Sequence, residues 1–238
     1  MNGLYVCCHA GISGDMLVGG FIDMGMPLSR MRRALSALGL GRIPIRPVKV
    51  LREGTSATRL QIGRQPELPP RRAAEIIRFV RGSRVERNVK RRMVRAFEQL
   101  ANAESAAHGK PWARTLFYQL AQSDTLLDVA GICVGLEHFG VDRVHTSSIP
   151  LGCRYMDHHD VARRRPGPAT VWLLRRFTTV RREQPFEWST PTGATFLRAF
   201  ATPQPPPPMR MIRAGHSIGT KLPPHGPTVL RLLLGKSL

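Results

Sequence analysis

The hydrophobic pattern changes period several times along the chain, and each change predicts an element. Residues 4–8 form a short continuous apolar run, which reads as a buried strand. The turn Gly11-Ile12-Ser13-Gly14 follows. Residues 16–24 then repeat at helical spacing, with Ser13 as the expected N-cap and Asp15 in the first turn. Pro27 ends this helix, and residues 28–38 predict a second one closed by Gly39. Residues 43–51 and 58–62 alternate on either side of Gly54 and predict a hairpin. Helices are expected at 71–81 and 85–107. In the second, Val89, Met93, Ala96, Phe97 and Leu100 share one face, and the opposite face is nearly all cationic.

Ser123 is placed to cap a helix over 124–139, which Gly140 closes. Residues 144–151 read as one strand and 157–165 as a charged loop. Pro168 and Pro191 each open a helix, over 168–177 and 191–200. The prolines at 205–208 form an extended connector, and residues 209–214 and 229–234 predict strands that close a sheet. Strands and helices interleave, so the expected class is α/β, or mixed α+β, with a β-sheet carrying helices. The polar run at 65–70 separates a strand-helix-helix-hairpin part, residues 1–64, from residues 65–238. These are two subdomains at most, and the expectation is one compact domain overall.

Composition adds a strong charge. The 238 residues hold 36 Lys and Arg, all but five of them Arg, against 16 Asp and Glu, for a formal net charge of +20. Residues 1–29 carry Asp15 and Asp23 and no cation, so the positive charge lies wholly beyond them. Such a field favours anionic partners. No nucleic-acid recognition motif accompanies it, so nucleic acid is not the expected partner. No apolar stretch reaches the length of about 20 residues that a membrane span requires. The N-terminus lacks the positive region of a secretory signal, which makes a soluble cytoplasmic protein the expectation. The four cysteines form neither a disulfide framework nor a Cys-x-x-Cys pair.

Four constellations could carry chemistry. The segment from Cys7 to Met16 is a strand-to-helix turn, where α/β proteins receive ligands and backbone N–H groups favour anions. There Gly11 and Gly14 allow close approach, Ser13 caps, and Asp15 requires a bridging cation such as Mg²⁺ if a phosphate binds; capping and dipole effects alone would also explain Ser13 and Asp15. Asp124 and Asp128 lie four apart on one helical face. Asp128 is surrounded by Leu126, Leu127, Val129 and Ile132, so it needs either an Arg partner or a role in a site. Thr190-Pro191-Thr192-Gly193 is a further helix start at which Gly193 would admit a ligand, or which simply caps. Finally, Cys7 and His9, two apart on one expected strand face, and His158 and His159 are soft donors suited to Ni or Zn, without a spacing signature.

Several motifs occur together: AGISGDM, SDTLLDVAGICVGLEHFGVDRV, PGPAT, TPTGA and GHSIGTKLPPHGPTVLRLLLG, in this order between residues 3 and 235. In combination they resemble the LarC family, the nickel-insertion proteins of the nickel-pincer cofactor. The resemblance implies CTP-dependent insertion of nickel into pyridinium-3,5-bisthiocarboxylic acid mononucleotide, with Mg or Mn accompanying the nucleotide. Of the family's positions the chain keeps Gly11, Ser13, Gly14, Asp15, Asp124, Asp128, Glu187, Thr190, Thr192, Gly193, Gly219 and Thr220. The implied catalytic set is Asp15, Asp124 and Asp128, and the implied cofactor-binding set is Gly11, Ser13, Gly14, Thr190, Thr192 and Gly193.

The chain departs from the family at its imidazoles. Cys7 stands where the family usually has Asp. Leu116, Tyr118 and Gln119 stand where it has His-x-His-Glu, and Asp160-Val161 where it has His-Gly. Family members usually continue into a C-terminal domain associated with CTP and metal, so a separate chain supplying that domain is an expected partner. Two alternatives stand beside nickel insertion. One is a divergent, non-catalytic homologue that binds a nucleotide or a protein. The other is a basic nucleic-acid-binding protein.

Overall fold

The computed structural model describes residues 1–40, 43–63, 71–111, 116–117, 123–152, 155–158, 161–164, 166–184 and 186–238. Its centre is a seven-stranded mixed sheet. The strands are β1 (Asn2–Cys7), β2 (Ile45–Arg52), β3 (Thr55–Ile62), β6 (Val141–Thr146), β11 (Ala201–Thr202), β12 (Met209–Ile218) and β13 (Val229–Ser237), in the order β11-β6-β1-β13-β12-β3-β2. The sheet therefore takes strands from both sides of residue 65. β1 runs parallel to β6 and antiparallel to β13. Leu4 and Val6 on β1 are buried, as are Leu230, Leu232 and Leu234 on β13, whereas Tyr5 and Leu233, side by side in register, are only half-buried. The alternation fixes which face of the sheet receives the helices.

Three helices lie on the sheet. α1 (Gly14–Asp23) packs on β12, β3 and β13; α5 (Ser123–His138) packs beside α1 and on β6; α7 (Pro191–Phe200) packs on β6 and β11. A further layer covers them. It consists of α2 (Leu28–Ala37) against α5, α3 (Ala73–Gly82) on α4 (Arg87–His108), α4 on α5 and α7, and α6 (Pro168–Leu174) on α4 and α7. The cationic face read from the sequence is the outer side of α4, while Val89, Met93, Ala96, Phe97 and Leu100 are all buried.

α1 sits unusually close to the sheet. A side-chain carbon at Gly20 would collide with Leu232, and one at Gly215 with the Gly20 carbonyl. The Ser217 hydroxyl, buried in the same contact, donates to the Met16 carbonyl at 2.6 Å. At the far end of α1, Asp23 gathers three donors: Lys49 Nζ and Thr58 Oγ1, both at 2.5 Å, and the His216 N–H at 2.9 Å. One carboxylate thereby joins β2, β3 and β12 to the helix.

Several expectations are met. The hairpin forms, with Glu53 and Gly54 at φ 51° and 69° supplying the two left-handed residues of its turn. α7 spans the stretch expected, and Gly39 and Gly140 close α2 and α5 at positive φ. Others are corrected. Residues 144–151 are not one strand, because β6 ends at Thr146 and β7 (Ile149–Gly152) pairs in a separate ladder with β10 (Thr179–Arg182). The backbone at 157–165 is not a simple loop: β8 (Tyr155–His158) and β9 (Val161–Arg164) pair antiparallel. Two-residue strands β4 (Arg71–Arg72) and β5 (Leu116–Phe117) also pair. The linker at 65–70, Tyr118, Gln119 and His159 lie outside the described residues.

The Asp23 cluster generates a prediction. The side chain is only 7 % exposed. Burial raises its pKa, but the donors from Lys49, Thr58 and His216 outweigh burial and hold it below the usual carboxylate value. A depressed folded-state pKa stabilises the fold above the unfolded value of about 3.9, and this contribution disappears as pH falls through the folded value. Asp23→Ala is expected to lose about 1–3 kcal/mol at pH 7 by leaving buried donors unpaired, and much less at pH 2–3. Urea unfolding at the two pH values measures the difference.

Candidate functional site

Two chain segments far apart in sequence build one cleft. After β1 the chain makes a 3-10 turn at Cys8–Ala10 and enters α1 through Gly11, at φ 85°. Ile12 then forms a parallel bridge to the segment entering α7. The Ile12 N–H donates to the Trp188 carbonyl at 2.8 Å, and the Thr190 N–H donates to the Ile12 carbonyl at 3.0 Å. A side chain at Gly11 would strike the Trp188 carbonyl, and one at Gly193 would strike the Ile12 carbonyl. These two glycines keep the bridge closed. The N-termini of α1 and α7 consequently open into the same space.

That space is a cleft of about 710 Å³, within the usual range of about 300–1,000 Å³ for a small-molecule site. Its lining includes Ser13, Gly14, Asp15, Asp124, Asp128, Thr190 and Thr192, all singled out from the sequence. Gly11 and Gly193 are not in the lining; both are buried at the bridge. Arg59, Phe186, Glu187, Trp188, Thr220 and Lys221 complete much of the wall.

The three aspartates differ in state. Ser13 occupies the N-cap of α1, yet its hydroxyl makes no capping bond; it donates to Asp15 Oδ1 instead. Asp15 Oδ1 also accepts the Met16 N–H at 2.9 Å, and Oδ2 accepts the Thr220 N–H and hydroxyl at 2.7 and 2.9 Å. The two bonds from Thr220 latch α1 to the chain after β12. Asp124 is exposed in the first turn of α5 and accepts the Thr125 N–H at 2.7 Å.

Asp128 packs against Gly14, where any side chain would displace its carboxylate. Among the described residues no Arg pairs with it. Its Oδ1 is sealed from solvent without a hydrogen-bond partner. Burial, reinforced by the charges of Asp15 and Asp124, raises its pKa well above the ordinary carboxylate value. It is therefore disposed to hold a proton and to donate a hydrogen bond.

Trp188, which the sequence did not mark, is 2 % exposed and forms the cleft's aromatic wall. It meets Phe186 edge-to-face at 5.3 Å, and the Arg182 guanidinium lies 5.4 Å from its ring centre. Its indole Nε1 is buried without an acceptor. The available signal was its place two residues before Thr190.

Cys7 and His9 do not join the site. The strand ends at Cys7 and His9 lies exposed on the 3-10 turn, so the shared strand face expected for them does not exist. Burial raises the Cys7 pKa despite Arg231 nearby, and pushes that of Cys8 up to about 12, so both thiols stay protonated at neutral pH. Among the described residues no group of three or more His, Cys, Asp or Glu side chains is disposed to hold a metal ion. None of the described helices is long and apolar enough to cross a membrane.

An α/β protein with a ligand cleft between helix N-termini is a broad class, and comparison with known sequences narrows it. The chain belongs to the nickel insertion protein family, whose sequence model matches residues 4–237. It is 32% identical over 242 residues to a Geotalea daltonii protein named for nickel insertion, covering 100% of this chain and 62% of that one. It is also 30% identical over 247 residues to the pyridinium-3,5-bisthiocarboxylic acid mononucleotide nickel insertion protein of Geobacillus kaustophilus, covering 99% of this chain and 60% of that one. The protein of the same name from Staphylococcus saprophyticus is 31% identical over 221 residues, 92% of this chain and 56% of that one. The chain thus spans about three fifths of the length of these relatives. No solved structure matches it.

The state of Asp128 gives a prediction. A carboxyl whose folded pKa is raised destabilises the fold once pH exceeds its unfolded value, because the folded form must bury the charge or retain the proton. Asp128→Asn, which removes that titration, is expected to raise stability by about 1–2 kcal/mol at pH 7. The gain should shrink towards zero below pH 4, where the wild-type group is protonated in both states. Thermal melts across pH 3–8 measure the trend.

Proposed function

We propose that this chain takes part in inserting nickel into pyridinium-3,5-bisthiocarboxylic acid mononucleotide during maturation of the nickel-pincer cofactor, and that its cleft binds the mononucleotide. The observation that carries this reading is the convergence of Ser13, Gly14, Asp15, Asp124, Asp128, Thr190 and Thr192 on one cleft of ligand size, in a chain of the nickel insertion family. Two relatives are named for this substrate. Nickel is cargo in the reaction. The described residues offer no three-ligand group for it, so in this reading the soft sulfur donors of the bound mononucleotide take the metal.

Use of CTP with Mg²⁺ or Mn²⁺ falls, in this proposal, to a separate chain equivalent to the portion of the relatives that this one does not span. The working compartment is the cytoplasm. The test is to incubate this chain with precursor, Ni²⁺ and CTP, with and without such a chain, and to follow nickel incorporation by mass spectrometry. Incorporation that requires this chain supports the proposal; none under either condition rejects it.

One observation favours a second reading, a divergent homologue without chelatase activity. Leu116 stands where the family has imidazole, and no metal-holding group replaces that imidazole among the described residues. Both readings predict that the chain alone shows no tight stoichiometric Ni²⁺ binding at neutral pH. Calorimetry that gave one tight nickel per chain, abolished by Cys7→Ala or His9→Ala, would contradict both.

A further inference from the structure

The cleft contains two cations, Arg59 and Lys221, that pair with no carboxylate among the described residues. Thr220 adjoins both, by a hydrogen bond to Arg59 and in sequence to Lys221. Its N–H and hydroxyl are fixed to Asp15, its carbonyl accepts Arg59 Nη2 at 3.2 Å, and Lys221 follows it directly. Both cations border the cleft next to Thr220, and the four bonds already accepted by Asp15 leave its carboxylate engaged within the fold. A phosphate monoester, with its several acceptor oxygens, suits a guanidinium and an ammonium at one rim.

The second observation is independent of this one. Trp188 is 2 % exposed, lines the same cleft, and keeps its indole N–H buried without an acceptor. A buried donor left unpaired costs stability unless a ligand completes it. The indole is a donor only, so the missing group is an acceptor. A carboxylate or thiocarboxylate on a flat ring supplies that acceptor and lets the ring lie along an aromatic wall.

Resting on the mononucleotide-binding reading above, we propose that Arg59 and Lys221 take the phosphate of the ligand and that the Trp188 indole N–H donates to an acidic substituent on its ring.

The test uses nicotinate mononucleotide and its phosphate-free riboside as probes, titrated calorimetrically into the full chain. The mononucleotide is expected to bind about tenfold or more tightly than the riboside. Arg59→Ala and Lys221→Ala should each shrink that ratio towards one, whereas Trp188→Phe should weaken both probes and leave the ratio unchanged. Because Trp188 is buried, its part is also read in the wild-type chain: its indole N–H resonance, assigned with Trp112→Phe and Trp172→Phe variants, should shift on adding either probe. Equal binding of the two probes, unaffected by Arg59→Ala or Lys221→Ala, overturns the phosphate assignment while leaving mononucleotide binding in place. An indole resonance that stays fixed while the probes bind overturns the Trp188 assignment. Heat from neither probe rejects the binding reading itself and the proposal with it.

Discussion

Two backbone hydrogen bonds between Ile12 and the 188–190 segment hold the site together. They join parts of the chain separated by most of its length, and they place the starts of α1 and α7 side by side. The bridge sets Ser13 and Asp15 beside the same space as Thr190 and Thr192. The bridge explains why small residues stand at 11 and 193: any side chain there would enter the backbone of the opposite segment. Glycines that look like ligand cradles in the sequence are in fact the closure of the frame around the cleft.

Electrostatics then divides the labour among residues of similar chemistry. Asp15 spends its lone pairs inside the fold, Asp124 stays wet, and Asp128 is half-buried with one oxygen sealed and unpaired. A spacing of four along α5 puts Asp124 and Asp128 on one helical face, and the structure gives the two carboxylates unlike surroundings. A carboxyl whose pKa burial raises inside a cleft is a common mark of a functional site.

What the sequence made legible was local. Pro191 and Thr190 announced the start of α7, Gly140 the end of α5, and Gly54 the hairpin turn, because each is a short-range backbone constraint. The isolation of Asp128 among Leu126, Leu127 and Val129 rightly marked it as exceptional. What stayed hidden depends on pairing at long range. β10 reads as an ordinary basic stretch, Thr179–Arg182, and becomes a strand only because β7 lies alongside it. Trp188 has no periodicity to betray it, and its importance follows from the bridge beside it. Cys7 and His9 looked like a pair only on the assumption that the strand continued past Cys7, where the 3-10 turn replaces it.

The two margins of the central sheet bear on how the protein behaves in a crowded solution. An open strand edge invites another strand, and long flat apolar edges seed aggregation. Here one margin is β11, only two residues long. The other is β2, whose sequence Ile45–Arg52 carries Arg46, Pro47, Lys49 and Arg52. Proline withholds a donor and the cations repel a second copy of the same strand. Part of the chain's excess positive charge thus serves as a guard against self-pairing, a use that requires no anionic partner at all.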